Sequence, residues 1–424
     1  MRVAVVGAGP AGLSAASALI ERGHTPVVFE KEAVVGGKCR SLDIDGVKYD
    51  LGANLTTPRY EALRPLAESL GLTLRELPER RIVNLTPEDL PSLKDASLVK
   101  KLAVRGGASY YALTRGLTGI DQHGYAGLKP GVRRPFREWL QAHGLGAVQE
   151  VFANLFVAYG YGVMDDLPAA YALKFFDPIH INTAVDVILG VEVSETRTFA
   201  EGFQALWDRL VERDRIDVRL EARITSIRRD PGGCTVAWTG ADGEGHEDHF
   251  DALVLACPLD ATLGFMDAAP EERRLFEQIR YNDYYVTATV LRDAVDISTF
   301  LYPYSRVFTP GQPTLFYAPI EDNPDDVFFF YAYGDEGTTV DDVQANIRAV
   351  MAEPEIGGEL VEIIHTHHWR YFPHVSAEAM QAGFYDDLDG LQGRFNTWYV
   401  GELLSFSLVE LIHNHARDVI ARGF

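Results

Sequence analysis

The residues best placed for chemistry stand at the beginning of the chain. Gly7-x-Gly9-x-x-Gly12 lies between a short apolar run, Arg2–Val6, and an alanine-rich run, Leu13–Arg22. A strand, a glycine turn and a helix in that order are the context in which such glycines bind a dinucleotide. Gly7 makes the tight turn, Gly9 lets backbone approach a pyrophosphate, and Gly12 lets helix and strand pack closely. Pro10 and Ala11 fall inside the same loop. The helix that follows presents backbone N–H groups and a positive dipole end to the phosphates. Glu30 ends the next apolar run, Thr25–Glu30, eighteen residues beyond Gly12 and just before Lys31. A carboxylate at that point accepts hydrogen bonds from an adenosine ribose. A glycine-rich loop without a ligand is the alternative.

The following segment separates FAD from a nicotinamide dinucleotide. Gly36-Gly37-Lys38-Cys39 comes next, and Gly52-Ala53-Asn54 follows after a hairpin signal at Asp45-Gly46. A second glycine pair gives another stretch of backbone close access to the cofactor, and Lys38 adds a cation near phosphate. A nicotinamide dehydrogenase has no need of this continuation, whereas a protein that buries an extended FAD does. Gly36-Gly37 alone would read as a turn. Near the C-terminus, an apolar run ends in Gly401-Glu402, and Ser405-Phe406-Ser407 opens a helix. Glu402 can accept from ribityl hydroxyls, and the helix start can donate to charge on a reduced flavin. Alone, that segment is an ordinary capped helix.

These groups need elements to position them. Strands are expected at Arg2–Val6, Thr25–Glu30, Ser41–Ile44, Val47–Asp50, Val286–Leu291, Val327–Tyr333 and Asn396–Val400, and helices at Leu13–Arg22, Pro58–Leu70, Val340–Met351 and from about Leu408. Arg223–Arg229, Cys234–Thr239 and Asp251–Cys257 read as an antiparallel meander, with Gly240–Gly245 as a hairpin turn. The stretch from about 95 to 200 is helical and aromatic in character. The expected fold class is α/β: a discontinuous Rossmann-like FAD-binding domain, a mixed α+β substrate domain and a helical cap. The segments are 1–80, 199–260 and 393–424 for FAD, 81–198 for the cap, and 261–392 for the substrate domain.

Composition narrows the function classes. The chain has 424 residues, enough for two or three connected domains, and a formal charge of −22, which argues against nucleic acid. No run is long and apolar enough to span a membrane, and no cleavable leader is evident. Cys39, Cys234 and Cys257 are scattered and without a CxxC, so they read as reduced thiols and a cytoplasmic setting. No cysteine follows Cys257, so the flavin is expected to be held non-covalently. His365 and His367 would share a strand face beside His368, but no carboxylate or cysteine completes a ligand set, and no metal is expected. The aromatic groups at Phe156–Tyr161 and Phe328–Tyr333 are either core or pocket lining. No GxSxG element appears.

Taken together, the glycine motifs resemble the flavin-containing amine oxidase and phytoene desaturase superfamily. Longer stretches are similar to bacterial polyenoic fatty acid isomerases: Val35–Cys39; Phe156–Lys174 with Tyr159-Gly160-Tyr161-Gly162 and Leu167–Tyr171; and Tyr371-Phe372-Pro373-His374-Val375-Ser376, continuing through Ala382-Gly383 and Leu391–Arg394 to Gly401-Glu402. The likeness runs over nearly the whole chain. It implies an FAD enzyme that moves double bonds in a polyunsaturated acid or related polyene, by hydride abstraction to flavin N5 and return at another carbon. Such a cycle needs a dry aromatic channel and no NAD(P)H site.

The resemblance implies FAD contacts from Lys31, Ile224, Phe406 and Ser407 beside the glycine motifs, and substrate contacts from Arg81, Tyr161, Phe372 and His374. Arg81 falls where an arginine anchors the substrate carboxylate, with a solvated surface pair, Arg80-Arg81, as the alternative. For His374 a structural histidine bonded to backbone is the leading reading, with substrate contact as the alternative. The family's aromatic partner of that arginine has no counterpart here, because Asp177–Thr198 diverges. An oxidase or desaturase of the same fold is the rival reading, and a non-catalytic flavoprotein is a third.

Overall fold

The computed structural model describes residues 1–77, 82–84, 97–145, 156–162, 167–177, 196–294, 299–301, 309–320, 323, 326–353 and 358–424. In chain order the strands are β1 (Arg2–Val6), β2 (Thr25–Phe29), β3 (Ser41–Ile44), β4 (Val47–Asp50), β5 (Leu74–Glu76), β6 (Ile82–Asn84), β7 (Arg197–Phe199), β8 (Asp217–Arg219) and β9 (Arg223–Asp230). They continue with β10 (Gly233–Thr239), β11 (Gly245–Phe250), β12 (Ala252–Leu255), β13 (Arg280–Arg292), β14 (Thr299–Leu301), β15 (Pro313–Tyr317), β16 (Val327–Gly334), β17 (Glu359–His374) and β18 (Thr397–Tyr399).

A parallel sheet in the order β18-β12-β1-β2-β8 carries the first motif. Its central strands β1, β2 and β12 are largely apolar because both of their faces are covered, while the edge strand β8 carries Asp217 and Arg219. One face, with Val3, Val5, Val28 and Val254, packs on the helix Pro10–Glu21 and the C-terminal helix Val409–Gly423. The other, with Ala4, Val6, Phe29, Leu253 and Leu255, meets an antiparallel sheet, β11-β10-β9, through Ile227, Val236, Trp238 and Phe250.

Three expectations change here. Asp251–Cys257 does not complete the meander: its apolar core, β12, lies in the parallel sheet beside β1, and the third meander strand is β11. Four consecutive buried residues in β12 require cover on both faces, which a half-exposed meander cannot give, whereas β11 is mostly exposed. The Gly240–Gly245 stretch is the expected turn, closed by Gly240 N–H donating to the Glu244 carbonyl at 3.0 Å. The first helix begins at Pro10, inside the glycine motif, and not at Leu13, since proline's fixed φ suits a first helical position. The expected helix Pro58–Leu70 is shorter, spanning Leu63–Ser69.

A second, six-stranded sheet has the order β17-β13-β16-β15-β14-β6. The long antiparallel pair β13–β17 runs from Arg280 opposite His374 to Arg292 opposite Glu359. One face of the sheet presents Tyr285, Phe316, Phe328 and Phe330 to the helix Val340–Met351. The opposite face presents Tyr284, Tyr317, Phe329 and Tyr331 towards Tyr49 of the β3–β4 hairpin and Leu51 just after it. A parallel sheet with helices, a mixed α+β sheet and a helical region thus form the expected α/β fold class.

Candidate functional site

The loop after β1 is shaped by two backbone requirements. Gly7 has φ +106°, and a Cβ on Gly12 would lie 1.9 Å from the Gly7 carbonyl oxygen, so only glycine fits there. The helix beginning at Pro10 has no side-chain cap, which leaves the first-turn N–H groups of Ala11 and Gly12 facing outward at its N-terminus. Glu30, buried at the end of β2, accepts from the Ala8 amide at 2.8 Å and from the Glu32 amide at 3.0 Å. Each carboxylate oxygen keeps a further lone pair for a ribose hydroxyl. The backbone of Glu30 bonds Arg219 and Ala222, which brings the start of β9 and Ile224 to the same end of the sheet. Lys31 is exposed and pairs with Glu32.

The glycine segments that are distant in sequence meet at this loop. Gly36 donates to the Ala8 carbonyl at 2.9 Å. A Cβ on Gly37, whose φ is +53°, would come within 3.1 Å of Gly9 Cα, so two bare backbones lie in contact. Gly52 stacks its backbone on Lys38, and the Ala53 amide donates to the Lys38 carbonyl at 3.0 Å. From the C-terminal side, Val400 donates to Leu255 at 3.0 Å, and Gly401 follows beside Ala11. A cradle of bare backbone, an uncapped helix N-terminus and a buried carboxylate fit a dinucleotide. Residues 7–12, 30, 36–38, 52–53 and 401–402 would hold it.

Two side chains depart from their expected use. The Lys38 ammonium pairs with Glu402, whose other oxygen accepts from Ser407, and it also sits 5.3 Å from the centroid of the Tyr371 ring. Lys38 thus joins the N-terminal and C-terminal segments through charge, in place of a free cation at phosphate. Asn54 donates to the hydroxyls of Tyr317 and, at 3.1 Å, Tyr331, which also bond each other at 2.9 Å. It therefore ties the glycine segments of the cradle to the six-stranded sheet.

Beside the cradle stands a wall of aromatic rings. Tyr161 contacts Phe406 at 4.9 Å, Phe372 at 5.2 Å and Tyr371 at 5.7 Å between centroids. Phe372 stacks on His374 at 5.2 Å and meets Tyr171 at 5.3 Å. Tyr161, Phe372 and His374 are thus brought together, and the Phe406 ring touches both Tyr161 and Phe372. Burial holds the hydroxyls of Tyr161 and Tyr371 well above the usual phenol range, so they stay protonated. Burial also lowers the pKa of His374, and its Nδ1 bonds the Phe372 carbonyl oxygen at 2.8 Å. Phe372 and Phe406 both hold positive φ, +49° and +97°, a strain of about 1–3 kcal/mol each that clusters where function needs fixed geometry. Arg81 lies outside the described residues.

Sequence reasoning missed two buried carboxylates that hold the site's frame. Asp50 accepts from Ser41 Oγ at 2.5 Å and from the Phe203 amide at 2.9 Å, and burial raises its pKa to about 6 despite those bonds. Glu410, on the last helix, accepts from the amides of Ala62 and Leu63 at 2.8 and 2.9 Å, capping the helix Leu63–Ser69 from a distant part of the chain. Asp50 lies between the β3–β4 hairpin signal and Gly52, but nothing local marks Glu410. Of the dense histidines, His368 bonds Asp283 at 2.7 Å, and no cluster of metal-ligating side chains occurs among the described residues. Nor is any described helix long and apolar enough to cross a membrane.

Comparison with known proteins agrees with this geometry. A polyenoic fatty acid isomerase from Ptilota filicina is 24% identical over 260 residues, covering 54% of this chain and 51% of that protein, so the match spans about half of that relative's length. A solved structure of a CLA-producing fatty acid isomerase from P. acnes superposes with a TM-score of 0.88 at 29% identity, covering 100% of this chain and 98% of that one. Putrescine oxidase bound to putrescine shares the fold, with a TM-score of 0.72 at 17% identity over 100% of this chain and 99% of that one. Residues 10–340 match the family of flavin containing amine oxidoreductases. The chain belongs to that family and is an enzyme whose cofactor is FAD.

Proposed function

We propose that the protein is an FAD-dependent double-bond isomerase acting on a polyunsaturated fatty acid or a related polyene. The observation that carries the reading is the wall formed by Tyr161, Tyr371, Phe372 and Phe406 directly against the Glu402 segment of the cradle. Whole-chain likeness to a CLA-producing fatty acid isomerase supports it. The bound flavin would supply a reversible two-electron acceptor, so a redox-neutral rearrangement needs no second nucleotide.

The chain's own residues have three tasks in this reading. Gly7, Gly9, Pro10, Ala11, Gly12, Glu30, Lys31, Gly36, Gly37, Gly52, Ala53 and Ile224 hold the adenosine, pyrophosphate and flavin through backbone and the Glu30 carboxylate. Lys38, Asn54, Glu402, Phe406 and Ser407 fix the flavin end to the wall. Tyr161, Phe372 and His374 exclude water and present ring faces to positive charge developing on a polyene. The neutral tyrosines and histidine suit a reaction without general acid or base. Cys39 and Cys257 are pushed up to about 12 by burial, which makes thiolate attachment unfavourable and supports non-covalent FAD. Three free cysteines support a cytoplasmic setting.

Anaerobic incubation with a polyunsaturated acid tests the reaction. An isomerase turns over repeatedly and leaves its flavin oxidised. One bleaching event followed by arrest would instead identify an oxidase or desaturase. Arg81 is proposed as the carboxylate anchor: Arg81→Ala should raise KM for an acid, but not for its alcohol, by an amount equivalent to about 1.5–3 kcal/mol. Equal KM values would remove it from the site.

A further inference from the structure

Behind the aromatic wall lies a buried polar cluster that neither the cradle nor the wall uses. Lys174, on the helix Ala169–Phe175, is fully buried. Its ammonium donates to the Gln122 carbonyl and lies 5.5 Å from the centroid of the Tyr125 ring. Arg59 and Arg115 bear on it with the same sign of charge. Each of those has its own carboxylate, Asp177 for Arg59 and Asp121 for Arg115, both at 2.5 Å. Among the described residues no carboxylate pairs directly with Lys174, and Asp121, already paired with Arg115, acts on it only from a distance.

Three more buried atoms around it have no hydrogen-bond partner among the described residues: the Tyr125 hydroxyl, Arg115 Nη2 and His415 Nδ1. Arg115 Nε donates to the Leu173 carbonyl at 2.8 Å, one residue before Lys174. The His415 ring packs on Gly124, next to Tyr125. Burial, reinforced by Arg422, Lys174 and His123, lowers the His415 pKa to about 3, so it adds no charge. Burial and the two arginines likewise press Lys174 down to about 7. Donors therefore exceed acceptors. Lys174 brings three N–H groups against one carbonyl, and Tyr125 and Arg115 add more. An ammonium without a directly paired carboxylate, held by one carbonyl, and a surplus of buried donors call for a compact acceptor of negative charge, whose binding would restore the proton on Lys174.

We propose that Lys174, Arg115 and Tyr125 form an internal site for a small monovalent anion of chloride size. The anion ties the loop carrying Gln122 and Tyr125 to the helix whose Tyr171 and Phe175 belong to the aromatic wall. It thereby supports the wall without taking part in the chemistry, and the proposal stands whether or not the substrate is a polyene.

The test melts the FAD-loaded protein at fixed ionic strength in sodium chloride or bromide, with sodium methanesulfonate as the bulky control. Tm should rise with the logarithm of halide concentration, by about 3 °C for a hundredfold increase above the dissociation constant. Crystals grown in bromide should give an anomalous peak between Lys174 and Tyr125. Lys174→Met should abolish both effects. Should that variant fail to fold, Tyr125→Phe keeps the test open. It should weaken halide affinity about tenfold and melt below the wild type only when halide is present. A wild-type melting point indifferent to halide, with no anomalous peak, would overturn the proposal, as would Tyr125→Phe melting higher than wild type in both salts.

Discussion

The flavin cradle and the aromatic wall lie side by side but are specified in opposite ways. The cradle is nearly free of side chains: Gly7, Gly9, Gly12, Gly36, Gly37 and Gly401 bring backbones within contact of one another, and a single Cβ on Gly12 would strike the Gly7 carbonyl. The wall is made of side chains contributed by the segments 156–162 and 169–176, the end of β17 and Phe406. Recognition by backbone admits few residue types, whereas recognition by packed rings admits many. The same difference predicts that substitutions in the cradle abolish FAD binding, and that substitutions in the wall trade stability against specificity.

Experiments can break that contrast, beginning with the largest effect. Gly12→Val should eliminate bound FAD, read from the flavin absorbance of purified protein. A variant that kept its chromophore at wild-type affinity would refute the backbone account of the cradle. Phe372→Ala should cost about 3–5 kcal/mol of stability by leaving a cavity, yet retain FAD at high ligand concentration. Equal loss of flavin in both variants would mean that wall and cradle are one unit.

Acid should act on the frame shared by the two regions. Burial lowers His413, which bonds Ser14 at 2.8 Å between the first and last helices, to about 4. The unfolded chain then binds more protons than the folded one below about pH 6.5, so this contribution is present at neutral pH and is lost as pH falls towards 4. Its size is about 3 kcal/mol by linkage, and His413→Gln should flatten that part of the stability profile. Asp50 works the other way. Its pKa, raised to about 6, makes the folded state bind the extra proton, so its contribution grows as pH falls from about 6 to the unfolded value near 3.9.

Two smaller effects would sharpen the boundary between the regions. Glu402→Gln leaves the part-buried Lys38 ammonium without its carboxylate and should cost about 1–3 kcal/mol, with a change in the flavin spectrum. Wild-type stability and spectrum would show that the pair is incidental. Glu410→Gln should cost about 1–2 kcal/mol through the lost cap on Ala62 and Leu63, with FAD affinity unchanged. A parallel loss of FAD would place that helix in the cradle.

The amino-acid sequence by itself determined the cradle's parts and several elements. The β3–β4 hairpin at Asp45-Gly46 and the helix Val340–Met351 fall where their local signals put them, the first through turn residues with positive φ, the second through apolar spacing and a Thr339–Asp342 capping box. Gly7-x-Gly9-x-x-Gly12 with Glu30 was legible because the reasons for those residues are local: a turn, a close approach, a strand end. Tertiary structure alone decided that Ala252–Leu255 joins the parallel sheet, that Lys38 turns to Glu402, and that Glu410 caps a helix more than three hundred residues away in the chain. It also buried Lys174 behind the wall against the Gln122 carbonyl. Each of these depends on which distant neighbour supplies cover or charge, and neither residue type nor spacing carries that information.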